Sequence, residues 1–131
     1  RMITGKTTDL LGPCAALLLN ALKELAGIPH SQPVISPAAI EPIQTLKTQY
    51  LGSKNPRLHM DEVLIALSVS AASDPNAQKA LEQLPNLKGC QAHTSVMVSD
   101  VDRKLFMKLS IQATFEAKYE NNSVIFPKKG I

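Results

Sequence analysis

Residues Gln91 to Lys118 read QAHTSVMVSDVDRKLFMKLSIQATFEAK, and their hydrophobic period changes twice. Ala92, Thr94, Val96 and Val98 fall on one side of an extended chain, and Gln91, His93, Ser95 and Met97 on the other. That alternation predicts a strand. Ser99-Asp100-Val101-Asp102 resembles a capping box, so a short helix should follow and run to about Leu109. Ile111, Ala113, Phe115 and Ala117 then alternate with Gln112, Thr114, Glu116 and Lys118, a second strand. Asn121-Asn122 supplies a turn, after which Ser123 to Phe126 is expected to return as a short edge strand. A strand, a helix and a strand in succession point to an α/β domain. The helical connection is barely long enough for a parallel pair, so an antiparallel α+β arrangement is the alternative.

Upstream the pattern is helical. Gly12 or Asp9 caps a first helix with Pro13 in its first turn, and Cys14, Leu17, Leu18, Ala21, Leu22 and Leu25 recur at helical spacing. Gly27 and Pro29 stop it. Ser36-Pro37 starts a second helix with Ile40, Ile43, Leu46 and Tyr50 on its apolar side, Pro42 bending it and Gly52 closing it. Met60 to Ser73 fits either period; its length and the acidic pair Asp61 and Glu62 in the first turn favour a helix. Asp74-Pro75 opens a fourth helix reaching about Leu84, before Pro85. Four or five helices around a small sheet of about three strands follow. Ile3 is strand-like, but the chain opens on Arg1-Met2 with nothing before it, so residues 1–131 are expected to be a C-terminal domain of a longer protein.

At 131 residues, with 44% hydrophobic and 19% charged side chains, the chain has the make-up of one ordinary globular domain. Disordered, collagenous and disulfide-stapled classes are excluded. The net charge of +3 is mild, and five aromatic residues (Tyr50, Phe106, Phe115, Tyr119, Phe126) give no stacking platform, so no nucleic-acid partner is expected. The longest apolar run, Pro13 to Leu19, is too short to span a bilayer, and no membrane partner is expected. Cys14 and Cys90 sit among apolar residues as free thiols of a reducing compartment do, which points to the cytoplasm.

Three stretches carry a family resemblance: Thr4-Gly5-Lys6-Thr7-Thr8-Asp9-Leu10-Leu11-Gly12, Asn55-Pro56-Arg57-Leu58-His59-Met60-Asp61-Glu62-Val63-Leu64-Ile65-Ala66-Leu67-Ser68, and Leu87-Lys88-Gly89-Cys90-Gln91-Ala92-His93-Thr94-Ser95-Val96. Together they resemble the C-terminal part of the bacterial uncharacterised protein family 0371. The resemblance implies cytosolic proteins several times longer than this chain, and hence an N-terminal domain as partner. It implies no mechanism. Three positions depart from the family pattern: Pro13-Cys14 replaces two small residues, and Ser110 stands where a glycine is expected.

Gly5-Lys6-Thr7 before a helix resembles the end of a phosphate loop, although Met2, Ile3 and Thr4 suit a strand better. A weaker reading keeps Lys6, Thr7 and Thr8 as residues lining an anion site in the complete protein. The densest polar cluster is Lys54, Asn55, Arg57 and His59, followed by Asp61 and Glu62. Arg57 suits a carboxylate or phosphate, His59 suits proton transfer, and Asp61 or Glu62 is placed to orient it. Helix capping and surface ion pairs explain the same residues without a ligand. His93 and Ser95 share a strand face, giving a second candidate acid or base and a neighbouring polar ligand. Cys90-x-x-His93 has no matching second half, and no His-Glu-x-x-His occurs, so no metal is expected; the cofactor is left open. Two functional classes stand side by side: an enzyme domain for a small anionic or phosphorylated substrate, with His59 or His93 as acid or base, and a structural domain for docking or homo-oligomer assembly.

Overall fold

Gly12 in extended conformation and Pro13 in the first turn start the first helix, α1 (Pro13–Leu25). It ends where Gly27 takes φ +70° and the Ile28 N–H donates to the Lys23 carbonyl at 2.9 Å, the glycine stop read from the sequence. Cys14, Leu17, Leu18, Ala21 and Leu22 are buried, and each large side chain so enclosed contributes about 1.5–3 kcal/mol. The helix is central: it packs on β1 (Ile3–Lys6) and on α3 (Met60–Ala71). Gly5 of β1 lies directly under it, where a Cβ would come within 2.7 Å of the Leu17 Cβ and closer still to the Leu17 backbone. A strand glycine is thus what lets the helix approach the sheet.

The computed structural model describes residues 3–6, 8–94, 98–115 and 122–126. After α1 come α2 (Pro37–Thr45), which runs into a π turn at Leu46–Tyr50, then α3, α4 (Pro75–Leu81), a 3₁₀ turn at Leu84–Leu87, β2 (Gln91–Thr94), α5 (Asp100–Lys108), β3 (Gln112–Phe115) and β4 (Asn122–Phe126). The strands form one sheet in the order β1-β4-β2-β3. β2 and β3 are parallel, with Ala92 opposite Ala113; β4 is antiparallel to both β1 and β2, with Ile125 opposite Ile3 and Ala92. The chain is therefore a mixed α/β domain with the expected five helices and small sheet, and Ile3–Lys6 adds the fourth strand.

Several details differ from the sequence reading. The last strand was expected at an edge, returning after a turn at Asn121-Asn122; Asn122 is instead its first residue, and it lies inside the sheet, where it fills the gap between β1 and β2. Val98 lies outside the strand that begins at Gln91, while Ser95, Val96 and Met97 fall outside the described residues. Helix α4 stops at Leu81, and the 3₁₀ turn carries the chain through Pro85. Met60, Val63 and Leu67 are buried while Ile65 and Val69 are exposed, a helical pattern that a strand cannot produce and that resolves the ambiguous third element.

The largest departure is in the second helix. Leu46 and Tyr50, expected on its apolar side, are exposed, Tyr50 by 77%. The Leu51 N–H donates to the Leu46 carbonyl, five residues back, so the last turn is widened. Lys47, seven residues after Ile40, falls between Ile40 and Ile43 around the helix and turns inward, with only 8% of its surface exposed, while Leu46 lies at the edge of that face. Gly52 follows with φ +75° and turns the chain into the polar loop.

Candidate functional site

The loop of residues 53–59 is held on three sides. The Ser53 Oγ accepts from the Asn55 N–H, and the Asn55 Oδ1 accepts from the Arg57 N–H at 3.1 Å. Leu58 bridges to Leu11 in parallel, through Leu58 N–H to the Leu10 carbonyl and Gly12 N–H to the Leu58 carbonyl. Beneath the loop, the Lys47 Nζ donates to the Arg57 carbonyl and, at 2.9 Å, to the Glu62 Oε1. The same Glu62 oxygen accepts from the His59 N–H at 2.7 Å and so caps α3.

This scaffold leaves a cavity of about 360 Å³ lined by Gly12, Pro13, Cys14, Lys54, Asn55, Arg57, His59, Ser99 and Asp102. Gly12, His59 and Ser99 are the N-cap residues of α1, α3 and α5. Three helices thus begin at one cavity, each bringing first-turn N–H groups and the positive end of its dipole. Arg57 and Lys54 add two cations. The Arg57 Nε donates to the Thr8 carbonyl at 2.7 Å, which fixes the guanidinium and leaves its terminal nitrogens without a protein partner among the described residues.

Asp102 is the buried acid of the cavity, 7% exposed. Its Oδ1 accepts from the Met60 N–H at 2.8 Å, tying α5 to the start of α3, and its Oδ2 lies 3.7 Å from the His59 Nδ1. Burial pushes its carboxyl above the ordinary carboxylate range, against the Met60 hydrogen bond, the charge of His59 and a Ser99 hydrogen bond, which pull it down; the charge of Asp61 adds slightly to the rise. A histidine ring beside a buried carboxyl is an arrangement suited to proton transfer. Cys14 combines two settings, being 2% exposed in the core of α1 and on the cavity wall.

Among the residues singled out by sequence, Asn55, Arg57 and His59 share this cavity. Asp61 is exposed on α3 and its Oδ1 accepts from the adjacent Glu62 N–H, so the carboxyl beside the His59 imidazole is Asp102 and neither Asp61 nor Glu62. Lys6 is exposed in β1, part of a strand and not of a phosphate loop, and is not among the cavity residues. His93 lies in β2, where its Nδ1 is 2.7 Å from the Thr114 Oγ1, in a separate depression. Thr7 and Ser95 lie outside the described residues. Sequence reasoning missed Ser99 and Asp102 as site residues because a capping box explained both. It missed Lys47 because a lysine is assigned to the wet side by residue type, although its spacing from Ile40 and Ile43 puts it on the buried face. No group of three metal-binding side chains occurs among the described residues, and no helix there is long and apolar enough to cross a membrane.

Comparison with known proteins adds a family. The profile described as "Domain of unknown function DUF1846, C-terminal" matches residues 1–125. The chain is 59% identical to a UPF0371 protein of Corynebacterium efficiens over 95% of its own length and 25% of that protein. It is 58% identical to one of Corynebacterium diphtheriae over 94% of the chain and 25% of the relative. With one of Streptococcus thermophilus the identity is 46%, over 92% of the chain and 24% of the relative. The chain spans about a quarter of the length of the curated relatives it matches.

Proposed function

The chain belongs to the family of DUF1846 C-terminal domains found in UPF0371 proteins, and from that premise we propose that it supplies the anion-binding half of an active-site cleft in a longer enzyme. The substrate is a small molecule carrying a phosphate or carboxylate. The observation that carries this reading is the convergence of the α1, α3 and α5 N-termini on one cavity that also holds Arg57 and Lys54. Arg57 binds the anion through its terminal nitrogens, with Lys54 and Asn55 at the mouth. His59 moves the proton, and Asp102 orients its ring. The remaining walls and the second substrate group belong to the rest of the longer protein. Lys6, Thr7, Asp61, His93 and Ser95 take no part in this version of the site.

The test is the melting temperature of the full-length protein with millimolar inorganic phosphate and with Mg-ATP. A ligand at about one hundred times its dissociation constant stabilises by about 2.7 kcal/mol, a shift that is easily read. Arg57→Ala should abolish the shift while melting near the parent without ligand, and Lys6→Ala should keep it. A shift that survives Arg57→Ala, or no shift with any phosphate or carboxylate compound tried, removes the proposal. Loss of stability alone in Arg57→Ala would favour a purely structural loop.

A further inference from the structure

The described helices that touch the sheet lie on one side of it. Gly5 packs under Leu17 of α1, and the Phe115 ring meets Phe106 of α5 edge to face at 5.9 Å. The Arg103 guanidinium sits 4.7 Å from the centre of the same Phe115 ring. Pairing through Ser123 places Gly5 and Thr94 in one row, with Phe115 opposite Thr94, so α1 and α5 share a face. The other face alternates out through Thr4, Lys6, Gln91, His93, Gln112 and Thr114. All are exposed except the half-buried His93, and no described helix crosses them. Around Gln91, His93, Gln112 and Thr114 this face forms an open depression of about 420 Å³.

We infer that this bare face is the surface on which the N-terminal part of the full-length protein docks. Three observations select that occupant. β2 and β3 are a parallel pair joined by the crossover helix α5, and α5 and α1 both lie on one face, so the second face has no helical layer among the described residues. On β1, β2 and β3 the face carries amides, hydroxyls and an imidazole, with Lys6 its one charge among the described residues, and the register of β4 adds Asn122, Val124 and Phe126 to the same rows. A mostly polar face with an apolar minority fits the interfaces between domains of one chain, which are more polar than obligate interfaces. Finally, the family profile is a C-terminal one and the relatives are about four times longer. Most of such a protein therefore precedes this segment, and it reaches the sheet at β1, the edge strand that carries Thr4 and Lys6 on the bare face. The surface is separate from the cavity of Arg57 and His59, and the inference stands whether or not that cavity binds an anion.

The experiment uses the full-length protein with single cysteines at Gln91→Cys or Gln112→Cys, and Met107→Cys on the far side as the reference, a position 73% exposed. Maleimide labelling is timed in buffer and normalised in denaturant, with the unsubstituted protein as baseline because Cys14 and Cys90 are buried. Docking predicts that both sheet positions react at least about 100-fold more slowly than Met107→Cys, since labelling through opening slows tenfold per 1.4 kcal/mol. Rates within about threefold of the reference would overturn the inference. Protection must also come from the stated segment. A photo-crosslinking phenylalanine derivative at position 112, in a mixture of isotopically heavy and light chains, should link to a peptide from the N-terminal part of the same chain. Links to residues 116–131, or between heavy and light chains, contradict it. Circular dichroism identifies a variant that fails to fold, and the other sheet position then carries the test.

Discussion

Replacing Lys47 by Met would remove the charge under the cavity loop and keep most of the stem's volume. Lys47 donates to the Arg57 carbonyl and to the Glu62 carboxylate, with only 10% and 19% of the Lys47 and Glu62 side chains exposed. Removing one partner of a buried ion pair costs about 3–5 kcal/mol. This pair keeps some contact with water and Glu62 retains the His59 N–H, which lowers the figure; the orphaned Arg57 carbonyl adds to it. The net expectation is a loss of about 2–3 kcal/mol. For 131 residues, at about 2.1 cal/mol/K of unfolding entropy per residue, that is a fall in Tm of roughly 7–11 °C. Urea and thermal unfolding measure it. The double variant Lys47→Met/Glu62→Gln should be more stable than the sum of the single changes by at least about 1 kcal/mol, because the stranded charge is then gone. A loss below about 0.5 kcal/mol, or simple additivity, would refute the view that this buried lysine holds the cavity loop in place.

Three further outcomes follow from the same structure. Burial raises the Asp102 pKa, so the folded state holds its proton where the unfolded chain has lost it; its contribution to stability is greatest below the ordinary value of 3.8 and drains as pH rises through the folded one. Asp102→Asn keeps an acceptor for the Met60 N–H and should therefore gain stability relative to the parent with rising pH, levelling off once the parent carboxyl is ionised; a constant difference, or one of opposite slope, in urea unfolding would reject this. Gly5→Ala pushes β1 off α1 and should cost about 1–3 kcal/mol or more, read by thermal unfolding; a neutral result would mean that the strand can shift freely. Ser110 has φ +58°, a left-handed conformation that costs a non-glycine residue about 1–2 kcal/mol, so Ser110→Gly should stabilise by about 0.5–1 kcal/mol after its added unfolded-state entropy, and a destabilised variant would contradict it.

Much of the fold was legible because local rules carried it. Gly12-Pro13, Ser36-Pro37 and Asp74-Pro75 each start a helix where the sequence put one, and the alternation after Gly89 gives two real strands. The place of β4 was not legible, because a strand's neighbours depend on long-range pairing and its own residues only on local preference. The burial of Lys47 was hidden for a different reason: its spacing from Ile40 and Ile43 puts it on the buried face, but its residue type assigned it to water; the exposure of Tyr50 goes with a widened last turn that no residue type signals. The site was half legible. Asn55, Arg57 and His59 are neighbours in sequence and stayed neighbours in space. Ser99 and Asp102 come from a helix some forty residues further on, and Cys14 from one forty residues earlier, so only the tertiary fold brings them to the same cavity. The glycine that the family pattern favours at position 110 matches a backbone that needs positive φ, a case in which the departure itself marked the geometry.

The central claim is that three helix N-termini form one anion site. The most direct measurement is the amide nitrogen spectrum of selectively labelled full-length protein during a titration with inorganic phosphate. First-turn amides of all three helices, such as Cys14, Met60 and Val101, should shift together along one binding curve. In the Arg57→Ala variant they should remain still. Shifts confined to one helix, or none up to tens of millimolar phosphate, would contradict it.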